Sequence, residues 1–513
     1  MDNALYEIPS SWKWVTLDDI GVVVSGGTPS TKEPEFWNGD IPWITPADLS
    51  NYNDVYISNG ARNISEIGLE YSSANLLPED SVMFSSRAPI GYVAIAKNKI
   101  ATNQGFKNII VPNKIINPKY VYYYLKSIKE LAENMASGTT FLELSATKFK
   151  KIPIPLCVLS VQNEIISKIE ESFSIIYKSI EELDNTIKLI ELQRKNILRT
   201  KFSEISNKKV RLKDVSIKIT DGTHHTPKYV EKGVNFISVK DIRNGKIDFS
   251  NTKFISKEEH EMLMKRCNPE FGDILMTKSG TIGRLAIVPK SPDFSLFVSV
   301  ALIKPIKNKI NSKYLFYCLE NFINSINIQK DIKGAVQKNF HLEDIREVEI
   351  PFVSLELQTQ ISEYIEFHIS NLDELHKDII NLKSRKELLL KKILKDAFAG
   401  KLHNFEDNES SINKLINILQ VEKDNFKSKQ IEINKDKKRI KRLEINIKNI
   451  IIKNFQNKYF AYNELFKKLN ISKEKFKNDF EELEAKKEII SFFDEKTGTL
   501  KYILNENKEF NNN

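Results

Sequence analysis

Two adjacent histidines, His224 and His225, stand in the sequence DGTHHTP, where imidazoles could hold a metal, move protons or meet an anionic partner. The Gly and Pro around them read as an exposed loop, in which polar side chains are expected without any catalytic duty. The cysteines add no metal site: Cys157, Cys267 and Cys318 are far apart, odd in number and without ligand spacing, so they read as small buried thiols of a reducing cytosol. Phosphate-loop chemistry is missing too, because GTIGR (Gly280 to Arg284) has glycines but neither the spacing nor the lysine of G-x-x-x-x-G-K-[ST]. An adenine methyltransferase needs a Gly-rich cofactor turn and an Asn-Pro-Pro-aromatic or Asp-Pro-Pro-aromatic loop, and the sequence contains no Pro-Pro. A nuclease centre fails on spacing, since the only Pro-Asp is Pro292-Asp293 and Asp331-Ile332-Lys333 lies 38 residues beyond it. The chain is expected to carry no catalytic residue, no metal and no cofactor of its own.

The elements that position these loops are written twice. Leu17, Asp19 and Ile20 in WVTLDDI match Leu212, Asp214 and Val215 in VRLKDV, and Gly27-Thr28 match Gly222-Thr223 at the same offset of 195. IPWITPADL (Ile41 to Leu49) matches VNFISVKDI (Val234 to Ile242), and SVMFSSRAPIGYVAI (Ser81 to Ile95) matches DILMTKSGTIGRLAI (Asp273 to Ile287). Gly138 then pairs with Gly334, KIPIP with VEIP, LSVQNEI (Leu159 to Ile165) with LELQTQI (Leu355 to Ile361), and ILRTKF (Ile197 to Phe202) with ILKDAF (Ile393 to Phe398). Order and spacing hold over most of 400 residues, so the chain is a tandem duplication.

Each copy changes period part of the way through. Its first 150 or so residues carry short β-branched and aromatic runs broken by Gly and Pro, the pattern of strands and loops. From Val161 the apolar series Ile165, Ile169, Phe173, Ile176, Ile180, Leu183, Ile187, Ile190 and Ile197 steps by 4 or 3, the seam of a packed helix. The second copy repeats it through Leu357, Ile361, Ile365, Ile369, Leu372, Leu375, Ile379, Leu382, Leu389 and Ile393. Two such stripes need a partner, and each other, antiparallel, is the economical one. His376 on the second stripe reads as a half-buried packing residue.

Bulk composition sets the remaining limits. The 513 residues carry 77 Lys plus Arg against 68 Asp plus Glu, a net charge of +9, which is compatible with a polyanionic partner. The N-terminus lacks a basic-then-apolar signal pattern and no run of about 18 apolar residues could span a membrane, so a cytoplasmic location is expected.

The doubled plan resembles the specificity subunits of Type I restriction-modification systems. The resemblance rests on SSRAPIG and TKSGTIG, on ATNQGF (Ala101 to Phe106), on a Gly-containing loop, and on I-P-x-P followed by L-x-x-Q opening a long helix, all in order from Ile8 to Leu402. Cys157 and Val353 depart from it, standing where a second proline is common, and the chain continues about 110 residues past the usual end. The resemblance implies an α+β chain of two tandem α/β target-recognition domains separated by long antiparallel coiled-coil helices; the C-terminal extension lies outside it and reads as mainly helical from its own residues. The expected segments are recognition domains at 1–158 and 206–354, spacer helices at 159–205 and 355–402, a linker with helix at 403–455, and a winged-helix-like piece at 456–513. It implies binding to double-stranded DNA, to two methyltransferase subunits and to restriction/translocase subunits, with each domain reading half of a split target. A stand-alone DNA-binding regulator is the competing reading; it should bind operator DNA alone.

Polar and basic loop residues are the candidates for base or phosphate contact, because Arg and Gln can pair bidentately with base edges while Lys positions phosphates. In the first domain they are Thr28, Lys32, Ser86, Arg87, Gln104, Lys107, Thr139, Thr140 and Lys148. In the second they are His224, His225, Thr226, Lys278, Arg284, Lys333, Gln337, Lys338 and Asn339. Beyond the acidic stretch His403 to Ser411, the tail reads as helices followed by helix, turn, helix and hairpin from Ala461 on, with Lys473, Lys475 and Lys477 at the start of its second helix.

Overall fold

The computed structural model describes residues 4–138, 142–205, 208–325, 340–402, 412–428, 450–452, 454–455, 458–467, 473–495 and 497–505. The chain forms two compact units, one of Met1–Ser172 with Lys391–Asn513 and the other of Phe173–Leu390. Four helices organise them: α1 (Pro118–Ser127), α2 (Leu159–Ser203), α3 (Ser312–Ser325) and α4 (Leu355–Phe398).

In the first unit a sheet runs in the order Val22–Ser25, Phe106–Ile110, Val82–Ser86, Ile90–Ala96, Tyr56–Ile57. A three-stranded sheet, Arg62–Ile64, Trp37–Ile44, Ala101–Thr102, and the pair Lys13–Thr16 with Pro153–Leu156 complete the strands of this domain. The second unit repeats the plan. Its main sheet is Ser216–Asp221, Val300–Pro305, Ile274–Thr277, Leu285–Ile287; its smaller sheet includes Lys253–Ile255, Val234–Ile237, Phe294–Leu296; and Lys209–Arg211 pairs with Glu349–Pro351. In both smaller sheets the central strand is antiparallel to one neighbour and parallel to the other. Val82–Ser86 and Ile274–Thr277 are buried along their whole length, as unbroken apolar runs in central strands should be.

The repeat shifts by one residue at one place. A bulge between Ser216 and Lys218 leaves Ile217 without a partner on the neighbouring strand and 70% exposed, whereas Val22–Ser25 pairs without interruption. After the bulge the ladder sets Ser25 opposite Lys107 and Asp221 opposite Ala301, so Asp221 is the counterpart of Ser25 and Gly222 that of Gly26. The sequence match of Gly27-Thr28 with Gly222-Thr223 is therefore one residue out, although a glycine is needed in both copies. A Cβ would lie 1.9 Å from the Asn103 carbonyl oxygen at Gly26 and 2.0 Å from that of Leu296 at Gly222.

A buried glutamine explains the L-x-x-Q signature. The Gln162 amide donates to the carbonyls of Cys157 (2.9 Å) and Ile115 (3.2 Å), and its oxygen accepts from the N–H of Asn117 (2.9 Å). Gln358 does the same with Val353 (2.9 Å), Lys309 (3.1 Å) and Asn311 (2.8 Å). Each glutamine thus ties the start of a long helix to the last strand of its domain and to the loop before α1 or α3. Tyrosines add a second tie: Tyr120 donates to the Pro155 carbonyl at 2.8 Å and Tyr314 to that of Pro351 at 3.0 Å. Gln358→Ala removes three bonds from a site with no exposure, so it is expected to lower unfolding stability by about 3 kcal/mol, at about 1 kcal/mol per bond. An unchanged denaturant midpoint would show that the glutamine holds nothing together.

The helices α2 and α4 are 45 and 44 residues long. Within the second unit they run antiparallel, fixed by Lys383–Asp184 at 2.6 Å and Arg194–Asp373 at 2.9 Å, with Ile190 and Ile379 buried. His376 is half-buried, as the stripe implies. The apolar stripe is wider than the seam it covers: Leu357, Leu375, Leu382 and Leu389, read above as seam residues, are 41–47% exposed. At their ends the helices pack alike, with Phe202 5.8 Å from the ring of Tyr314 in the second unit and Phe398 5.1 Å from those of Tyr120 and Tyr124 in the first.

Two pieces of the tail belong to the first unit. A helix over 412–428 lies on the recognition domain, where the buried Lys423 ammonium meets the Asp18 carboxylate at 2.9 Å and Leu419 is buried. Further on, Tyr462–Lys467, Lys473–Ala485 and a sheet in the order Phe460–Ala461, Thr499–Leu504, Ile489–Asp494 surround Phe460, Leu465, Phe476, Phe480 and Tyr502. This is the helix, helix, hairpin order expected from the sequence. Among the described residues no helix is long and apolar enough to cross a membrane.

Candidate nucleic-acid interface

Antiparallel pairing brings the candidate loops of each domain to one end of its main sheet. In the first domain Ser25, Ser86 and Lys107 lie at the same end of adjacent strands. Ser86 is buried; its N–H and hydroxyl both donate to the Gly105 carbonyl, at 2.7 and 3.0 Å. The Lys107 ammonium donates to Ser86 Oγ at 3.3 Å and to the Gln104 carbonyl at 3.4 Å. Glu143 bridges the cations, its two carboxylate oxygens 3.5 Å from Lys107 Nζ and 3.5 Å from Arg87 Nη1. Burial lowers the Lys107 pKa below the ordinary lysine value, and the Glu143 charge offsets part of that effect. Thr28 hydrogen-bonds the Gln104 side chain across 76 residues of sequence. The structure thus joins Thr28, Ser86, Arg87, Gln104 and Lys107 into one cluster.

Lys32 and Lys148 stand apart from it, the first fully exposed and the second on the short helix Ala146–Lys150, whose N-terminus is capped by Ser145. Thr139 and Thr140 lie outside the described residues, as do Lys333, Gln337, Lys338 and Asn339 in the second domain.

In the second domain the same end of the sheet has different chemistry. Lys278 occupies the place of Ser86: each gives its N–H to the loop before the next strand, Lys278 to Ser299 at 2.9 Å, and each carbonyl accepts from the segment returning to the core, at Leu144 or Phe340. Its ammonium is buried and lies 3.2 Å from the Asp221 carboxylate. His224, His225 and Thr226 are exposed, with His224 Nε2 3.3 Å from Asp221 and His225 Nδ1 2.9 Å from the Thr223 hydroxyl. Arg284 points back into the fold, where its guanidinium donates to the Val239 and Ile242 carbonyls at 3.4 and 3.3 Å. Among the described residues no group of three or more His, Cys, Asp or Glu could hold a metal ion. The three cysteines are buried and none is in a disulfide; burial pushes the Cys267 thiol up to about 12 and raises that of Cys318 as well, away from the range of a nucleophilic thiolate.

Three charged neighbours of these side chains escaped the sequence reading. Glu143 and Asp221 are acidic, and the search for polyanion contacts favoured basic and amide side chains. Arg266 reaches the site from 45 residues away, where its Nη2 lies 2.8 Å from Asp221. The one available signal was Asp221 itself, which stands beside the histidines in DGTHHTP.

The same doubled architecture appears in known proteins. The profile of the Type I restriction modification DNA specificity domain matches residues 9–198 and again 205–384. The Type I restriction enzyme MjaIX specificity subunit of Methanocaldococcus jannaschii is 32% identical over 423 residues, covering 77% of this chain and 93% of that one. The EcoBI specificity subunit of Escherichia coli is 23% identical, covering 78% and 88%. A solved chain from work on complex assembly and conformational transition of the type I R-M system superposes with a TM-score of 0.60 at 17% identity, over 77% of this chain and 99% of that one, a likeness of fold alone. None of these relatives supports a free-standing regulator. Two matched domains, the shared offset of their strands and a relative matched along almost its whole length place this chain in the family of Type I restriction-modification DNA specificity subunits.

Proposed function

We propose that this chain supplies sequence recognition to a Type I restriction-modification complex without catalysing any step itself. Each recognition domain reads one half of a bipartite, asymmetric double-stranded DNA target. Two methyltransferase subunits then modify adenines in it, and restriction/translocase subunits cleave unmodified DNA. The observation that carries this is the difference within likeness of the two sheet ends. One scaffold presents Arg87, Gln104 and Lys107 around Glu143 in the first copy, and Lys278, His224 and Arg266 around Asp221 in the second. Two frames of the same shape with different donors suit two different half-sites read through base edges.

Docking of partner subunits is supported by the long helices, which leave Ile175, Tyr177, Leu189 and Leu192 on α2 and Phe367, Leu382 and Leu388 on α4 exposed. Apolar side chains left uncovered along a helix pair suit contact with another protein. Sequencing the methylated bases of cells that carry the whole complex tests the proposal. Methylated adenines in two unlike half-sites separated by unread bases are expected; a single continuous motif would sink it.

A further inference from the structure

Asp221 is 2% exposed, yet two cationic side chains and an imidazole converge on it. Arg266 Nη2 lies 2.8 Å from Oδ1, Lys278 Nζ 3.2 Å from Oδ2 and His224 Nε2 3.3 Å from Oδ1. The three side chains are not equivalent. The Lys278 side chain is 9% exposed, so its ammonium balances the buried carboxylate from within. Arg266 is 56% exposed, and Asp221 engages only one of its terminal nitrogens. The guanidinium is therefore tethered through Nη2 while Nη1 is left to meet a ligand.

The backbone that carries Arg266 is fixed as well. Lys218 Nζ donates to the Arg266 carbonyl at 2.6 Å, the Arg266 N–H donates to Leu263 at 3.1 Å, and Lys304 Nζ ties down the Asn268 carbonyl at 2.9 Å. Beside the guanidinium lies a concavity of about 300 Å³, walled by Thr223, His224 and His225 on one side and by Met262 and Arg266 on the other.

Directional readout and phosphate attraction make different demands on such a side chain. A guanidinium already oriented by a carboxylate loses little rotamer freedom on pairing, and its planar fork fits the O6 and N7 acceptors of guanine. Phosphate binding, in contrast, is driven by unneutralised positive charge and counterion release, which an adjoining carboxylate diminishes. We infer that Arg266, positioned by Asp221, is a specificity-determining residue of the second domain and reads a guanine edge in that domain's half-site. The inference rests on the DNA-reading function proposed above.

The pairing does not recur at the matching place among the described residues of the first domain, where the carboxylate partner of Arg87 is Glu143, from a different segment. Ser25 stands where Asp221 does, and Asn75, in the segment after the corresponding helix Glu66–Glu70, donates its amide to the Ser25 carbonyl at 3.1 Å. No arginine occurs between Tyr71 and Pro78. The effect of losing Arg266 is thus confined to one half of the target.

The test uses the complex of the full chain with its methyltransferase subunits, assayed for methylation over a library in which each position of the target is randomised in turn. Arg266→Ala should lose preference for guanine at one position of the second half-site by about tenfold to a hundredfold, with the first half-site unchanged. Arg266→Lys should not restore it, because an ammonium lacks the fork. Asp221→Asn should relax the same position by a smaller factor, its thermal unfolding being followed to separate positioning from loss of fold. Equal weakening across all targets would overturn the assignment in favour of a phosphate contact, and an unchanged profile would overturn it outright. A wild-type complex with no bipartite preference overturns the function beneath it, whereas a bipartite wild type with an unaltered Arg266→Ala variant overturns this assignment alone.

Discussion

Exchange of residues 8–150 for the matching domain of a relative replaces one half of the methylated sequence and leaves the other half as it was. The expectation follows from how each domain is closed on itself. In the first, Ile44, Leu49, Ile57, Leu77, Met83 and Phe106 pack together, and Trp37, Trp43 and Ile64 form a second cluster beneath the smaller sheet. In the second, Ile237, Ile242, Leu275, Leu296 and Leu302 form a core of their own, with no residue drawn from the first domain. Every main-sheet hydrogen bond likewise stays within one copy. A core and ladder that borrow nothing from the neighbour can be replaced without moving the other set of loops. The readout is the methylated motif, in which a whole half-site is expected to change identity. A change in both halves would mean that the domains do not read independently.

Four residues inserted near Ile187 and four more near Ile380 should lengthen the unread gap between half-sites. Both insertions are needed because of the register. Asp184 meets Lys383 and Arg194 meets Asp373, so each step forward on α2 is matched by one step back on α4, and Ile187 falls opposite Ile380. Lengthening one helix alone would pull one ion pair past the other and misalign the seam. Lengthening both adds about 6 Å and roughly one turn, which restores the same faces to the seam. Set against a DNA rise of about 3.4 Å per base pair, the gap should grow by one to two base pairs with the half-sites unaltered. An unchanged gap in the methylated motif would show that these helices do not measure it.

The duplication was legible because it is recorded in apolar spacing and in a few residues with no substitute. Gln162 and Gln358 each make three bonds to backbone groups, which fixes the side chain far more tightly than apolar packing would. The one-residue slip at Ile217 was invisible, since a bulge adds a residue without leaving a compositional mark. Helix length was also legible, whereas the width of the seam was not. Leu375 and Leu382 have the right spacing, but spacing cannot say whether a stripe meets one partner or several.

The candidate sites were legible only in part, for a different reason. Polar residue types in Gly-rich loops identified Arg87, Gln104 and His224. Glu143 comes from another segment than Arg87 and Lys107, and only the folded domain brings Arg266 to Asp221. Charge pattern along a sequence records donors; it does not record what orients them.

The tail helix labels one of the two repeats. Leu17 and Leu212 are matched by their backbone bonds, which go to Ile152 and Val348, and so the counterpart of Asp18 is Lys213. Lys423, which closes on Asp18 in the first unit, would meet a cation at the equivalent spot of the second domain, where Lys213 is itself paired with Glu347 at 2.6 Å. Attraction at one dock becomes repulsion at the other. A single sign change between two corresponding surfaces thus tells the repeats apart, and the tail helix is matched to the first of them.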